Sequence, residues 1–302
     1  MRTPEAPVIV VGSVNVDLVA AGGRMPRPGE TVSMERFAEV QGGKGGNQAS
    51  AAAALGARVH FIGAVGSDHW GGAARADLAG RGIDVSALAT VEGTTGVAII
   101  LVDDGGENAI AIVPGANAAV SPEAVESALA VLDADDAVLV ACLEIPLESV
   151  VAAARTAAAR GWRLVLNPAP ARELPAELVA AATVITPNGT EVELLGGAEA
   201  LLARGAGAVV VTRGSEGVEV HPAGGAAFRV AASPAEVVDT TGAGDVFTAA
   251  LAVALADGRE LDDAVAWASA AGAIATEGFG ARGSLPTATQ VDERARELGR
   301  RS

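Results

Sequence analysis

The stretch Val237-Val238-Asp239-Thr240-Thr241-Gly242-Ala243-Gly244-Asp245-Val246-Phe247 constrains this chain more than any other. The residues before it are apolar and read as strand-like. Residues 246–256 are apolar and Ala-rich, with no breaker until Gly258, which predicts a buried helix. Gly242, Ala243 and Gly244 then form a tight turn whose backbone N–H groups open that helix. Such groups are unpaired within the helix and sit at the positive end of its dipole, which suits a phosphate. Asp245 falls in the first turn, beside the anion. A carboxylate there repels a phosphate unless it takes a proton from the group attacking it. The pattern therefore points to phosphoryl transfer with Asp245 as base; the alternative is an Asp capping a helix after a Gly-rich turn.

The rest of the chain supplies a sheet for that helix. Val8–Val11 is a short apolar run, and residues 137–143, 163–166, 183–185 and 208–212 repeat it, separated by helical patterns at 123–132, 147–159, 176–181, 191–195 and 199–203. This alternation predicts an α/β fold with a doubly wound, mostly parallel sheet. Ser121-Pro122-Glu123 marks a helix start, and Gly161 a helix stop. Residues 59–65 read as a strand, 73–78 as a helix, 218–221 and 226–230 as an antiparallel pair, 262–276 as a long helix, and 287–300 as a charged surface helix. Residues 94–102 and 109–113 flank Asp103-Asp104-Gly105-Gly106-Glu107-Asn108 and predict a hairpin. With a strand at 31–40 it makes a small accessory sheet, a lid over the main one. No repeat or linker is evident, so one domain over residues 1–302 is expected, with lid segments at about 17–41 and 94–114.

Ligands of open α/β sheets bind at the C-terminal ends of strands. There the chain places Gly12-Ser13-Val14-Asn15-Val16-Asp17, and Glu144, Asn167, Asn188 and Thr212 at later ends. Asn15 and Asp17 share a face of an extended chain, either gripping vicinal hydroxyls or forming a polar turn. Gln41-Gly42-Gly43-Lys44-Gly45-Gly46-Asn47-Gln48 is a second Gly-rich turn before a helix at 49–55. It lacks the Lys-Ser/Thr pair of a P-loop. Its glycines admit a ligand to the backbone, with Lys44 and Asn47 as donors, or it is a structural turn.

Composition narrows the partners. Half of the 302 residues are hydrophobic and 19% charged, as in a folded globular protein. The net charge of −16 argues against nucleic acid or an anionic membrane surface. An anionic ligand must then be held by backbone N–H groups, a few cations or a metal ion. Cys142 is the only cysteine, in an apolar run, and reads as a core residue. The first seven residues carry no signal peptide, and no apolar run is long enough to span a bilayer, so a soluble cytoplasmic protein is expected. His60, His69 and His221 lack the spacing of a zinc site.

The chain resembles the ribokinase/phosphofructokinase-B family of carbohydrate kinases. The family's C-terminal signature is matched by Asp239-Thr240-Thr241-Gly242-Ala243-Gly244-Asp245 and its N-terminal one by Gly42-Gly43-Lys44-Gly45-Gly46-Asn47-Gln48-Ala49. Gly12-Ser13-Val14-Asn15-Val16-Asp17, Leu166-Asn167-Pro168-Ala169-Pro170-Ala171 and Thr186-Pro187-Asn188-Gly189-Thr190-Glu191 resemble its ribose-phosphorylating members, and the Gly-Gly-Lys-Gly and Asn-Pro-Ala-Pro stretches favour these over nucleoside or fructose kinases. The likeness runs from about residue 8 to residue 286.

The resemblance implies a ribokinase-like fold and ATP-dependent phosphorylation of the 5-hydroxyl of D-ribose. Alternatives are another sugar, a sugar acid or a nucleoside as substrate, or a non-catalytic sugar-binding protein. It implies Asp245 as base and the N–H groups of Gly242, Ala243 and Gly244 as the anion hole. Asn15, Asp17, Gly42, Gly43, Lys44, Asn47 and Glu144 would hold the sugar. Asn188 would touch the nucleotide phosphates, and Glu191 would help place Mg²⁺ through water. Thr212, Gly214, Ser215, Gly217 and Ser269 would line the nucleotide site. Asp239 and Thr241, with Ala275, Gly278, Gly280 and Ser284, would bind a monovalent cation, K⁺. A homodimer through the lid is expected on the same grounds. The chain departs from the family at Gly46, where Ala is usual, at a shortened segment 195–207, and at Ser269, where a larger polar group is common.

Overall fold

Val8, Ile9, Val10 and Val11 are completely buried, and they alternate between two cores: Val8 and Val10 face one, Ile9 and Val11 the other. This is the mark of a strand covered on both sides. The computed structural model describes residues 6–299. In chain order the elements are β1 (Val8–Val11), β2 (Asn15–Ala21), β3 (Arg36–Gly42), α1 (Lys44–Ala54), β4 (Val59–Gly66), α2 (His69–Gly80), β5 (Leu88–Val91), β6 (Gly96–Val102), β7 (Asn108–Val113), α3 (Pro122–Ala130), β8 (Val138–Cys142), α4 (Leu147–Arg160), β9 (Arg163–Asn167), α5 (Ala176–Ala181), β10 (Val184–Ile185), α6 (Gly189–Leu194), α7 (Ala198–Ala203), β11 (Ala208–Thr212), β12 (Val218–Pro222), β13 (Phe228–Val230), α8 (Ala243–Ala256), α9 (Leu261–Ala275) and α10 (Ala288–Gly299).

The main sheet has nine strands in the order β13-β12-β11-β10-β9-β8-β1-β4-β5. Its strands run parallel from β11 to β5, with the antiparallel pair β12 and β13 added at one edge. Helices α1, α2, α8, α9 and α10 contribute to the core on one face, and α3 to α7 to the core on the other. Buried α8 lies against β8, β1 and β9, the middle of the sheet. The fold is therefore the doubly wound α/β architecture that the alternation predicts.

A separate four-stranded sheet has the order β3-β2-β6-β7. β2 runs parallel to β6 and antiparallel to β3, and β6 and β7 form the expected hairpin. Apolar side chains stay exposed on both of its faces: Phe37, 70% exposed, on one, and Ile110 and Ile112, 55% and 48% exposed, on the other. No helix among the described residues is long and apolar enough to cross a membrane.

Several elements differ from the sequence reading. The apolar residues before the Gly-Ala-Gly turn form no strand: the chain is irregular from Ala231 to Thr241, and Val237 and Val238 stand 63% and 64% exposed. After β13 the chain leaves the sheet edge to reach α8, which lies over the centre of the sheet. The N–H groups of Val238 and Asp239 pair instead with the Thr276 carbonyl, at 2.8 and 3.1 Å. The accessory strand begins at Arg36, not at residue 31. Helix α1 begins at Lys44, inside the Gly-rich stretch, so Lys44 and Asn47 occupy its first turn rather than a loop. The segment from Asn15 is strand, not turn, so the extended-chain alternative for Asn15 and Asp17 holds. Strand β5 was not anticipated.

Candidate active site

Two Gly-rich stretches meet at the C-terminal end of β1. Gly43 caps α1 at φ 82°, a conformation side chains disfavour. A Cβ there would lie 2.6 Å from the Asn15 nitrogen, and one on Gly45 would lie 2.6 Å from the Ser13 nitrogen. Backbone thus touches backbone, and α1 opens directly against residues 12–15. Glu144, just past β8, ties the junction: it accepts from the Lys44 N–H at 2.9 Å and from the Ser13 hydroxyl at 2.5 Å. Its carboxylate sits at a helix N-terminus, where a negative charge is stabilised.

Asn15 and Asp17 extend from this junction along β2, both nearly buried. Asn15 Oδ1 accepts from Asn117 Nδ2 at 2.8 Å, and Asn117 clamps the backbone of Val14 through its N–H and its carbonyl. Asn15 and Glu144 line a cavity of about 370 Å³, with Ile112, Asn117, Ile145 and Arg172 among its other walls. The Asp17 carboxylate packs where a Cβ on Gly42 would be, which explains a glycine at that point of β3. Burial, then Glu144, then Asp245 push its pKa up to about 6, with Arg282 opposing.

Asp245 lies in the first turn of α8 and is 6% exposed. Both carboxylate oxygens accept amide hydrogens from α1: Oδ2 from Asn47 Nδ2 at 3.0 Å and Oδ1 from Gln48 Nε2 at 3.1 Å. Gln48 also donates to Asn167 at the end of β9. The helix that opens the first Gly-rich stretch thus aims the carboxylate of the second. Asp245 is also the main reason the Lys44 ammonium is held above its usual range; burial works against it and Glu144 with it. Gly242, at φ 77°, is the N-cap of α8 and packs on Ala281. Gly244 is exposed, and a Cβ on it would meet open space. The mouth of α8 is accordingly accessible next to the carboxylate.

Most of the residues expected around a nucleotide cluster at the C-terminal ends of β10 and β11. Asn188 caps α6 and bridges to Thr212 at the end of β11. Its Oδ1 accepts from the Glu191 N–H while Glu191 Oε2 accepts from the Asn188 N–H, each at 2.8 Å, a reciprocal capping box. Among the described residues the Asn188 Nδ2 has no hydrogen-bond partner, and Asn188 is exposed. Gly214 and Ser215 form a short 3₁₀ turn after β11, and Gly217 follows it. Ser269 belongs to the buried face of α9.

The expected cation residues also gather. Against the upward push of burial, the N–H and hydroxyl of Thr241 and the N–H of Gly280 hold Asp239 below the usual carboxylate range, at 2.9, 2.7 and 2.8 Å. Gly278 packs on Ser284, and Ala275 closes α9 at the start of that loop. Cys142 is fully buried at the end of β8; burial pushes its thiol up to about 11, which suits a packing role.

The family's matching model, described as pfkB family carbohydrate kinase, spans residues 6–288. The chain belongs to this family, a class of kinases that phosphorylate carbohydrates. A ribokinase of Bacillus subtilis is 40% identical over 291 residues, covering 95% of this chain and 98% of its own length. Among solved structures, a ribokinase of Thermotoga maritima has TM-score 0.87 and 32% identity, over 96% of this chain and 99% of its own. Arabidopsis thaliana ribokinase, complexed with ribose and ATP, has TM-score 0.86 and 30% identity, over 98% and 99%.

Proposed function

We propose that this enzyme is a ribokinase, transferring the γ-phosphoryl group of ATP to the 5-hydroxyl of D-ribose. The observation that carries the reading is the placement of Asp245: a nearly buried carboxylate at the open mouth of α8, aimed by two amides of the helix that follows the Gly42–Gly43 turn. Support also comes from the ribokinases matched over nearly the whole chain.

In this reading Asn15, Asp17, Gly42, Gly43, Lys44, Asn47 and Glu144 hold the sugar, and Asp245 takes the proton from its 5-hydroxyl as the oxygen attacks phosphorus in line. The N–H groups of Gly242, Ala243 and Gly244 receive the charge on the transferring oxygens. The ammonium of Lys44 offsets part of the carboxylate charge around them. Asn188, Thr212, Gly214, Ser215, Gly217 and Ser269 line the nucleotide. Mg²⁺ would neutralise phosphate charge, with Glu191 orienting its water; the remaining oxygen of that capping-box carboxylate fits the task. K⁺ would sit at Asp239, Thr241, Ala275, Gly278, Gly280 and Ser284. An ionised carboxylate beside a glycine loop has the oxygen donors a hard cation takes. Water exclusion would come from the accessory sheet acting as a lid on a single domain. Exposed apolar side chains on that sheet, Phe37 on one face and Ile110 on the other, support pairing of two subunits there. A cytoplasmic location, where ATP is at hand, completes the reading.

The test is an ADP-release assay across pentoses, ketohexoses and nucleosides, with ATP, Mg²⁺ and K⁺. Ribose gives the highest kcat/KM. Asp245→Ala lowers kcat about 10²–10⁴-fold while ribose still binds. A better substrate overturns the sugar assignment, and a near-normal Asp245→Ala rate overturns the base.

A further inference from the structure

Arg282 sits in the loop between α9 and α10, yet its side chain is only 7% exposed. It reaches three elements at once. Nε donates to Asn47 Oδ1 at 2.9 Å, Nη1 to Asp77 Oδ2 at 2.7 Å, and Nη2 to the Gly42 carbonyl at 3.0 Å. The acceptors lie on α1, on α2 and at the end of β3.

Two consequences follow from chemistry. An amide side chain has one accepting and one donating end, whereas a guanidinium can only donate. Arg282 therefore obliges Asn47 to present its oxygen to the guanidinium, which turns Nδ2 onto the Asp245 carboxylate. Secondly, the space a side chain on Gly46 would need is taken: the nearest atom to a Cβ there is Arg282 Nη2, well inside contact distance. The next is also of Arg282, and the nearest backbone atom, the Ser13 carbonyl, is 3.8 Å away. The obstacle at Gly46 is thus the guanidinium and not the fold.

We propose that Arg282 is a positioning residue of the sugar site, fixing the Asn47 amide so that it holds the base, and that Gly46 is the matched vacancy that admits it. Arg282 belongs to the loop that carries Gly278, Gly280 and Ser284, so this side chain pins that loop to the sugar-binding turn. The inference rests on reading Asp245 as the base. Burial pulls the guanidinium down to about 10, with Asp77 opposing, so it stays charged at neutral pH. Asp77 keeps a second partner, Arg81, at 3.1 Å, so replacing Arg282 leaves it paired.

The experiment is a double-mutant cycle of Gly46→Ala and Arg282→Gln, read as kcat and KM on the parent's best sugar together with thermal midpoints. Arg282→Gln lowers kcat about tenfold, and Arg282→Lys, which lacks the fork, does not restore it. Gly46→Ala alone is at least as damaging, because methyl and guanidinium compete for one place. The double variant returns to the level of Arg282→Gln alone, because removing the guanidinium removes the obstacle at Gly46, whereas independent effects would multiply. In an Asn47→Ala background, Arg282→Gln has no further effect on kcat, which a merely structural role would not produce. An active Gly46→Ala, additive effects in the cycle, or an undiminished loss in the Asn47→Ala background overturns the proposal and leaves the parent's substrate assignment standing. A parent without turnover on any sugar overturns both.

Discussion

Replacing Asp17 with Asn separates what the free enzyme tolerates from what the sugar needs. Asp17 is 8% exposed, and among the described residues its carboxylate accepts no hydrogen bond. Burial first, then Glu144 and, after the opposing Arg282, Asp245 raise its pKa from 3.8 to about 6. Between those values the folded protein binds a proton that the unfolded chain has released. The stability linked to this group is present in full below pH 3.8 and is lost as pH rises through 6. Roughly two pH units correspond to about 3 kcal/mol in the free enzyme above pH 7. Asp17→Asn removes the charge and keeps the shape. It should raise the thermal midpoint of the ligand-free protein by about 5 °C at pH 7.5, by about half that at pH 5, and by nothing below pH 3.8. The same change should raise KM for ribose about 10–100-fold, since a charged acceptor becomes a neutral one. Scanning calorimetry at the two higher pH values and initial rates at pH 7.5 measure both. A midpoint at pH 7.5 equal to or below the parent's would refute the argument that this carboxylate is held against its solvation.

Asn117→Ala should destabilise the protein by about 2–4 kcal/mol, because it orphans the buried Val14 N–H, and should raise KM for ribose more than it lowers kcat; urea titration and initial rates check this, and an unchanged KM removes its hold on Asn15. Asp239→Asn should abolish the difference between rates in KCl and in tetramethylammonium chloride while leaving the folded fraction near the parent's; a K⁺ response that survives the change excludes Asp239 as a ligand. Ile110→Asp, at an exposed position of the accessory sheet, should shift sedimentation from dimer to monomer, and a monomeric parent would remove the dimer from the reading.

The local signals were the legible ones. Gly242 to Asp245 announce a helix mouth because glycine at positive φ, an apolar run and a carboxylate in the first turn are all read within one stretch. The parallel sheet was legible from short buried runs alternating with helices. What escaped has physical causes. Val237 and Val238 have strand-forming side chains, but their stretch crosses from the sheet edge to the start of α8, and the N–H of Val238 goes to the Thr276 carbonyl, a partner set by the three-dimensional path of the chain. Asn117 folds under Val14 from 103 residues away, and Arg282 reaches Asn47 across 235. Nothing near either residue in the sequence indicates the partner.

The site's electrostatics bring these pieces into one argument. The chain is strongly acidic, and its sugar end gathers Asp17, Glu144 and Asp245 against the cations Lys44 and Arg282. An isolated carboxylate group of that kind repels a nucleotide. Here each member is occupied differently. Glu144 is spent on the first turn of α1 and Asp245 is held by two amides, while Asp17 alone is left with no donor of its own. In the proposed reading, the charge that faces the phosphates is then governed by the mouth of α8, where Gly244 leaves the N–H groups uncovered. In that reading the unpaired carboxylate is the one the sugar's hydroxyl donors relieve. Distributing the acids in this way would let a protein of net charge −16 bind a neutral polyol and a polyanion within one cleft, with Asp245, the proposed base, between them.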